Sequence, residues 1–528
     1  MIIKLLSGSA ILALSASAAM ADFALTILHT NDFHARFEPI SRFNSGCSAE
    51  DNTEGKCFGG SARLVTGIEA ARQRAGNTPV LLVDGGDQFQ GTLFYTFYKG
   101  KLAAEMMNKM GYDAMTVGNH EFDDGPEVLK EFTAAVDFPI LMSNADISGE
   151  PILAGAIQKS VVIEKGGEKI GLIGLTPENT DELASPGPNI AFSDPVPAVQ
   201  TEVDRLTAEG INKIVVLSHS GYATDQRVAA ETTGVDVIVG GHSNTLLSNS
   251  VEGAAGPYPT VVNGVQIVQA FAYGKYLGEL SVTFDDDGNV TEATGDLVIM
   301  DAAVTEDEAT KARVAEAAVP LDEIRNEVVA QAAQAIDGER SNCRYRECQM
   351  GNLVADAMLD RVKSQGIQIA IANGGGLRAS IDEGDITKGE VLTVLPFQNT
   401  LSTFFIPGAT VKEALENAVA QYDDPDKDGR FAQVSGMKYT IDPAAGTGQR
   451  IVDIMVDEGG TWVPLDPAKM YGVVSNDFVR RGGDGYGMFA NAENVYDYGP
   501  DLADVTIEYL VKQGPYTPYT DGRITVKE

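Results

Sequence analysis

The sequence has 528 residues, of which 44% are hydrophobic and 22% are charged, a composition typical of soluble globular proteins and not of disordered chains. It carries 75 acidic against 39 basic side chains, giving a net charge of −36, which argues against binding to a nucleic acid polymer or to an anionic membrane surface. At about 100–200 residues per domain, the length predicts two to four domains.

Residues 1–21 have the pattern of a secretory signal peptide. Lys4 precedes the apolar run Ala10–Leu14, and Ala19-Met20-Ala21 fits a cleavage site. The run is too short to span a bilayer, and a plain buried helix is the alternative. No Cys follows the pattern and the final residues are polar, so we expect no membrane or lipid anchor and a periplasmic or secreted protein.

The four cysteines form two local pairs, Cys47/Cys57 and Cys343/Cys348. In an exported protein this spacing favours two short-range disulfides. A zinc site built from all four cysteines is the alternative. It would require the two distant pairs to meet, and neither spacing is a strong zinc signature.

Short β-branched runs alternate with helical patterns over residues 22–302, which predicts an α/β layered domain with buried strands. The runs are Ala24–Leu28, Val80–Val83, Ala114–Val117, Ile214–Leu217 and Val235–Val239. Residues 303–335, rich in Ala, Glu, Lys and Arg, predict a helical, solvent-exposed connector. A second mixed α/β domain is expected over residues 336–528, with Gly-rich turns at Asn373–Gly376 and Gly482–Gly487.

The segment Asp424–Gly429 matches the first half of a calcium-binding loop. The twelfth position of such a loop holds a bidentate Glu, whereas this chain has Ser435 there. A solvated acidic turn is therefore favoured over calcium binding.

Five apolar runs each end in a small turn that carries a candidate metal ligand. The candidates are Asp32, His34, Asp87, Asn119, His219, His242 and Asn244. Because ligands bind outside the carboxyl ends of strands in open α/β sheets, neighbouring strands would bring these side chains together. His29 lies within the first run, and we assign it a structural role.

Carboxylate, imidazole and amide ligands without a thiolate suit Zn, Mn, Fe or Co. Seven ligands exceed the needs of one tetrahedral ion, whereas two ions that share Asp87 would use them all. Two ions about 3.5–4 Å apart form a clamp for in-line displacement at phosphorus. His120 and Asp123 are three residues apart, so Asp123 can orient the His120 imidazole.

Several motifs then occur in a fixed order. Asp-x-His, Gly-Gly-Asp, Gly-Asn-His-Glu-Phe-Asp and Gly-Gly-His-Ser-Asn resemble those of the calcineurin-like metallophosphoesterases. With Cys343–Asn352, Asn373–Arg378, Leu395–Phe397 and Gly482–Gly485, the chain resembles the 5′-nucleotidase family, which includes ecto-5′-nucleotidases and periplasmic nucleotidase/UDP-sugar hydrolases. This resemblance implies a four-layer α/β/β/α metallophosphoesterase domain, a helical connector and a C-terminal mixed α/β substrate-binding domain.

The resemblance also implies how the ligands divide between two divalent metal ions, with Zn, Mn or Co expected and the identity left open. It assigns one ion to Asp32, His34, Asp87 and Asn244, and the other ion to Asp87, Asn119, His219 and His242. His120 and Asp123 match the pair that stabilises the transition state.

A nucleotide site in the second domain follows from the same resemblance. Phe397 and Phe478, each of which alone would be interpreted as a core residue, match the pair that holds the nucleobase. The remaining matches are Asn373 at the base, Asp484 at the ribose hydroxyls, and Arg344 and Arg378 at the phosphate or ribose. Arg480, Arg481 and Gln398 depart from the family pattern, and we expect Arg480 or Arg481 to add affinity for di- or triphosphates or a sugar diphosphate.

These features predict an exported 5′-nucleotidase, a phosphoric monoester hydrolase that converts nucleoside 5′-monophosphates such as AMP to nucleoside and phosphate. Nucleoside di- and triphosphates and UDP-sugars are further candidate substrates. A 2′,3′-cyclic-nucleotide phosphodiesterase/3′-nucleotidase is the alternative within the superfamily. An inactive nucleotide-binding or adhesion protein is the alternative from another class. The expected partner is a small-molecule nucleotide, and the protein is expected to be a monomer or homodimer.

Overall fold

The computed structural model describes residues 22–42, 44, 46–423, 429–497 and 499–527. The signal pattern at residues 1–21 and the acidic segment Asp424–Asp428 lie outside the described residues, so the export and calcium interpretations stay predictions. Within the described ranges, no helix combines the length and the apolar character needed to cross a bilayer.

Two β-sheets form the centre of the first domain, with seven and six strands among the described residues. In spatial order the first sheet consists of Val290–Ile299, Tyr276–Phe284, Phe23–Thr30, Val80–Asp84, Ala114–Thr116, Ile140–Leu141 and Ile157–Gln158. The second sheet consists of Thr260–Val262, Val265–Val268, Val237–Val239, Ile214–Ser218, Glu168–Leu175 and Ser160–Lys165. All five predicted apolar runs contribute strands to these sheets.

Successive residues of these strands face different cores, which explains why the runs are apolar at every position. Leu81 packs between the two sheets, whereas its neighbour Leu82 faces helices on the outer side of the first sheet. Helices on that side are Ser61–Ala75, Leu93–Tyr98, Lys101–Met110 and Gly125–Ala135. Pro195–Ala208 and Tyr222–Glu231 cover the second sheet. The predicted four-layer α/β/β/α arrangement is therefore confirmed.

His29 is fully buried between the sheets, where its Nε2 lies 2.8 Å from the Tyr258 hydroxyl. Its ring fits only because residue 278 is glycine, since a Cβ there would lie 2.0 Å from His29 Nε2. Burial lowers the pKa of His29 to about 3, so the ring is neutral in the folded protein at neutral pH.

This burial predicts a pH dependence of stability. Below the usual histidine pKa of about 6.5, His29 binds a proton in the unfolded chain but stays neutral in the folded protein. The free energy of unfolding therefore falls as the pH drops from about 6.5 towards 3. We expect His29→Gln to flatten this loss, measured as urea-unfolding free energies of the chelated protein between pH 7 and pH 5. Tyr258→Phe removes the hydrogen bond but keeps His29 buried, and should retain the slope. Equal slopes in His29→Gln and wild type would contradict the prediction.

The connector differs from the prediction at its C-terminal end. A helix spans Glu308–Arg325, but Val328–Ala332 is a strand that pairs antiparallel with Gly384–Thr387. The prediction of a helix through residue 335 is therefore wrong, because β-branched Val328 and Val329 favour a strand once a partner strand is available. Nor is the helix wholly exposed, since Val314, Ala317 and Leu321 pack into the core of the first domain.

The second domain contains two larger sheets. One consists of Ala432–Ser435, Ile369–Asn373, Met470–Asn476, Leu401–Pro407 and Glu493–Tyr496, and the other of Trp462–Pro464, Ile451–Asp457, Met437–Ile441 and Ile524–Val526. The helices around them are Arg340–Cys343, Gln349–Val362, Lys388–Val394, Gly408–Ala418, Asp477–Arg480 and Leu502–Gln513. These sheets and helices agree with the predicted mixed α/β domain.

Both predicted disulfides are formed, Cys47–Cys57 and Cys343–Cys348. This pairing excludes the four-cysteine zinc site. The Cys343–Cys348 bridge closes a short loop that carries Arg344 and leads directly into the helix Gln349–Val362.

Candidate active site

The turns that carry the predicted metal ligands follow parallel strands. Phe23–Thr30 pairs in parallel with Val80–Asp84, and Ile214–Ser218 pairs in parallel with Val237–Val239. Parallel strands end at the same edge of a sheet, which brings together the turns within each sheet. Hydrogen bonds join the turns of the two sheets: the His242 N–H donates to Asp32 Oδ2, and His219 Nδ1 donates to the Gly85 carbonyl. Five of the seven predicted ligands are buried, and the other two, His242 and Asn244, are partly buried.

Asp87 lies at the centre of this cluster. Its Oδ2 is 3.0 Å from His219 Nε2, 3.8 Å from His34 Nε2 and 3.9 Å from His120 Nε2. In the described part of the chain, two groups of side chains could each hold a metal ion: His34, Asp87 and His120, and Asp87, His219 and His242. Asp87 belongs to both groups, as expected of a carboxylate shared by two ions.

Unsatisfied oxygen atoms show that this donor set suits a cation. Among the described residues, Asp32 Oδ1 and Asn244 Oδ1 are buried without a hydrogen-bond partner, an arrangement that costs about 1–3 kcal/mol per group unless a ligand compensates. The orientation of two histidine rings also suits a cation. Nδ1 of His34 bonds to the Phe89 carbonyl at 3.0 Å and Nδ1 of His219 to the Gly85 carbonyl at 2.6 Å, so Nε2 of each faces the cluster.

The backbone at the site is held in an uncommon conformation. Five predicted ligands have a positive φ: Asp32, His34, Asp87, His242 and Asn244, with values of 51°, 51°, 60°, 69° and 52°. Non-glycine residues rarely adopt this left-handed region, and such strain concentrates at functional sites.

Glu121, which sequence analysis did not single out, holds two of the ligand-bearing turns together. Its carboxylate accepts hydrogen bonds from the backbone N–H groups of Asp87, Gln88, Phe89 and Gly118 at 2.7–3.2 Å. Burial raises the pKa of Glu121 to about 7. Its place within the Gly-Asn-His-Glu-Phe-Asp motif was the only sequence signal for this role.

His120 and Asp123 are in direct contact, as the spacing predicts. His120 Nδ1 lies 2.7 Å from Asp123 Oδ2, and burial opposes but Asp123 favours the charged imidazole, so the pKa of His120 is raised. Because a carboxylate only accepts hydrogen bonds, Nδ1 carries the proton and Nε2 faces Asp87.

A cavity of about 460 Å³ brings together residues of both domains. From the first domain it is lined by Asp32, His34, Asp87, Asn119, His120, Asp123 and His242, and from the second by Arg344, Asn373, Arg378, Phe397, Phe478 and Asp484. His219 lies beneath the cavity, fully buried, and Asn244 lines a neighbouring cavity of about 280 Å³.

The two predicted aromatic residues both border the cavity. The Phe397 ring stacks on the His120 ring with centroids 5.6 Å apart, and the Arg378 guanidinium lies 5.6 Å from the Phe397 centroid. The Phe478 ring lies against Gly483, where a Cβ would come within 2.4 Å of it. The Gly-rich turn is therefore required by the close approach of Phe478.

Asn373 and Asp484 form one hydrogen-bonded unit. Asn373 Nδ2 donates to Asp484 Oδ2 at 2.6 Å, while Asn476 Nδ2 donates to Asn373 Oδ1 at 2.8 Å. Both polar atoms of the Asn373 side chain therefore have protein partners, and Asn373 orients Asp484.

Basic side chains lie where the second domain meets the metal-ligand cluster. Arg378 Nη2 is 3.3 Å from His34 Nε2, and Arg340 Nη1 donates to the His242 carbonyl at 3.1 Å. Arg340 also lines the cavity, and sequence analysis missed it. Its spacing of four residues from Arg344 was the signal that could have identified it.

The two unusual arginines behave differently. Arg480 forms a two-bond ion pair with Asp497, at 2.7 and 2.5 Å, and is not among the residues that line the cavity. Arg481 lines the cavity and its side chain is 59% exposed. Of the two arginines, Arg481 is therefore the one placed to contact a ligand in the cavity.

Two protein-family models match this chain, one in each domain. Residues 25–245 match the calcineurin-like phosphoesterase family, and residues 328–491 match the 5′-nucleotidase C-terminal domain family.

Similar proteins span nearly the whole chain. The chain is 38% identical to a snake venom 5′-nucleotidase of Gloydius brevicauda over 98% of this chain and 92% of that protein. It is also 38% identical to the human 5′-nucleotidase over 95% of this chain and 90% of that protein. A 5′-nucleotidase precursor from Thermus thermophilus has a solved structure that matches with a TM-score of 0.90 and 41% identity, covering 96% of this chain and 99% of that one. The chain therefore belongs to the 5′-nucleotidase family and is a phosphoric monoester hydrolase.

Proposed function

We propose that this protein hydrolyses nucleoside 5′-monophosphates to nucleoside and phosphate with the help of two divalent metal ions. One observation carries the proposal: the metal-ligand cluster of one domain and the aromatic and basic residues of the other line a single cavity. Phe397 touches His120, so a base-binding ring lies beside the group that acts at phosphorus.

The family resemblance implies how the ligands would divide between the two ions. Asp32, His34, Asp87 and Asn244 would hold one ion, and Asp87, Asn119, His219 and His242 the other. The ions would activate a water molecule and neutralise phosphoryl oxygens. Zn, Mn and Co suit these ligands.

The chain's own residues supply the remaining tasks. Asp123 keeps the His120 proton on Nδ1 and so fixes the direction of the ring, which lets His120 stabilise charge that develops on the phosphoryl group. Arg344 and Arg378 provide a positive end of the cavity for the phosphate, because guanidinium stays charged and binds such oxygens in a fork. Asp484, oriented by Asn373, accepts hydrogen bonds from ribose hydroxyls.

Phosphate release from AMP, ATP, UDP-glucose, 3′-AMP and 2′,3′-cyclic AMP tests the proposal. The purified protein is assayed after chelation and again after addition of Zn, Mn, Co or Mg. We expect metal-dependent release from AMP well above release from 3′-AMP or the cyclic ester. Preference for either of the latter would favour the cyclic-nucleotide phosphodiesterase/3′-nucleotidase alternative.

Removing one aromatic wall tests the nucleobase site. Stacking of a base on an aromatic ring is worth about 1–3 kcal/mol, so we expect Phe478→Leu to raise KM for AMP by about 10–100-fold. Hydrolysis of ribose 5-phosphate, which has no base, should change less than about threefold. Phe97→Leu, at a 56% exposed surface position, is the matched control. An equal loss with both substrates would show that Phe478 only supports the fold.

Arg480 and Arg481 are expected to differ when each is replaced by Ala. Arg480→Ala breaks a largely buried ion pair and should lower the free energy of unfolding by about 1.5–3 kcal/mol. Arg481→Ala should leave stability unchanged and raise KM for ATP more than KM for AMP. Urea unfolding and the two KM values are the measurements. Equal effects of Arg481→Ala on both nucleotides would exclude a contact with the additional phosphates.

Three observations support the proposal that the protein is exported. The signal pattern at residues 1–21 precedes the folded chain, and two disulfides need an oxidising compartment. Similar proteins are named as venom 5′-nucleotidases or as a precursor, in keeping with secretion. The mature N-terminus of the protein recovered from the periplasm or medium tests this, and begins at Asp22 if cleavage follows Ala21.

A further inference from the structure

Gln90 lies at the boundary between the metal-ligand turns and the His120–Asp123 pair. It is 6% exposed, lines the main cavity and has a left-handed backbone with φ of 65°. Its neighbour Gly91 packs so closely that a Cβ would lie 2.7 Å from the His34 carbonyl oxygen. The backbone at Gln90 is therefore fixed against one of the metal-ligand turns.

The Gln90 amide donates to the carboxylate that orients His120. Gln90 Nε2 lies 2.9 Å from Asp123 Oδ2, and the same oxygen accepts from His120 Nδ1 at 2.7 Å. Asp123 Oδ2 is thus held between two donors from different parts of the chain. The Gln90 Oε1 atom is buried and has no hydrogen-bond partner within the described ranges, so no protein contact competes for the orientation of the amide.

We propose that Gln90 is a positioning residue for hydrolysis: it fixes the Asp123 carboxylate and, through it, the direction of the His120 imidazole. This inference rests on the proposed function. A neutral amide suits the task because it restrains the carboxylate without cancelling its charge. A Lys or Arg at this position would compete with His120 for that charge.

Replacing Gln90 by Met keeps the length of the side chain and removes the donor. Loss of such a supporting hydrogen bond typically reduces activity by 10–100-fold, so we expect kcat for AMP to fall by about that factor while KM changes less than about threefold. The metal content of the purified variant should equal that of wild type. A rise in KM alone, or loss of metal, would overturn the proposal.

Gln200→Met is the matched control. Gln200 Nε2 also donates to an aspartate, Asp204 Oδ1 at 2.8 Å, but on a surface helix away from the cavity. The control loses the same kind of bond and should retain wild-type kcat.

A double-mutant cycle shows whether Gln90 acts through Asp123. In an Asp123→Ala background the carboxylate is gone, so Gln90→Met should change kcat by less than about twofold. The same 10–100-fold loss in both backgrounds would show that Gln90 acts on something else and would overturn the proposal.

A measurement without substrate separates this inference from the proposed function. The proton between His120 Nδ1 and Asp123 Oδ2 should give a downfield proton NMR resonance in chelated protein, identified by its absence in His120→Asn. We expect Gln90→Met, but not Gln200→Met, to shift or broaden this resonance. An unchanged resonance in Gln90→Met would overturn the positioning role even if wild type hydrolyses AMP.

Discussion

Asp87→Asn is expected to reduce kcat/KM for the best substrate at least about 1,000-fold, equivalent to about 4 kcal/mol of transition-state stabilisation. Asp87 is the residue that belongs to both candidate metal groups, and it faces three imidazoles. Replacing its charge with an amide weakens both groups at once. Steady-state kinetics at saturating metal and elemental analysis of bound metal are the measurements.

Asp113→Asn provides the control for this change. Asp113 precedes the strand Ala114–Thr116 and bonds to Lys165 and the Leu82 amide at the opposite end of the same sheet. We expect this variant to keep wild-type metal content and kcat/KM. If Asp87→Asn retained two tightly bound ions and more than a tenth of the activity, Asp87 would not be the shared ligand.

Glu121→Ala should cause the largest loss of stability. Four buried backbone N–H groups lose their acceptor, and at about 1–3 kcal/mol per unsatisfied group we expect the free energy of unfolding to fall by about 3 kcal/mol or more. The same change frees the turn that carries Asp87, so metal affinity should fall with stability. Urea unfolding of chelated protein and metal titration measure the two effects separately.

Glu127→Ala, at an exposed position on the adjoining helix, is the matched control and should change stability by less than about 0.5 kcal/mol. If Glu121→Ala unfolded at the same urea concentration as Glu127→Ala, the four hydrogen bonds would contribute nothing to stability.

The sequence predicted the parts of the site that depend on residues close together along the chain. The strands and the turns that follow them were predictable because buried parallel strands are apolar at every position and end in short polar turns. The meeting of Asp32 and Asp87 then follows from parallel pairing of the strands before them. His219 comes from the second sheet, and its approach to Asp87 depends on how the two sheets pack, which no local pattern predicts.

Sequence analysis missed the role of a residue where that role depends on a partner far away along the chain. Gln90 bonds to a residue 33 positions away, and Arg480 to one 17 positions away, so no local pattern distinguishes the buried pair from the exposed Arg481. Val328–Ala332 is a strand because it pairs with Gly384–Thr387. The helix-favouring composition of the preceding residues gives no sign of this pairing.

The cavity between the domains has an evolutionary consequence. The predicted metal ligands all lie before residue 303, whereas Phe478, which would meet the nucleobase, packs against a separate hydrophobic core of the second domain. Substitutions around that second core can change which leaving group is accepted without altering the residues proposed to hold the metal ions. Evolution can therefore change the substrate range of such an enzyme while the chemistry of its reaction stays the same.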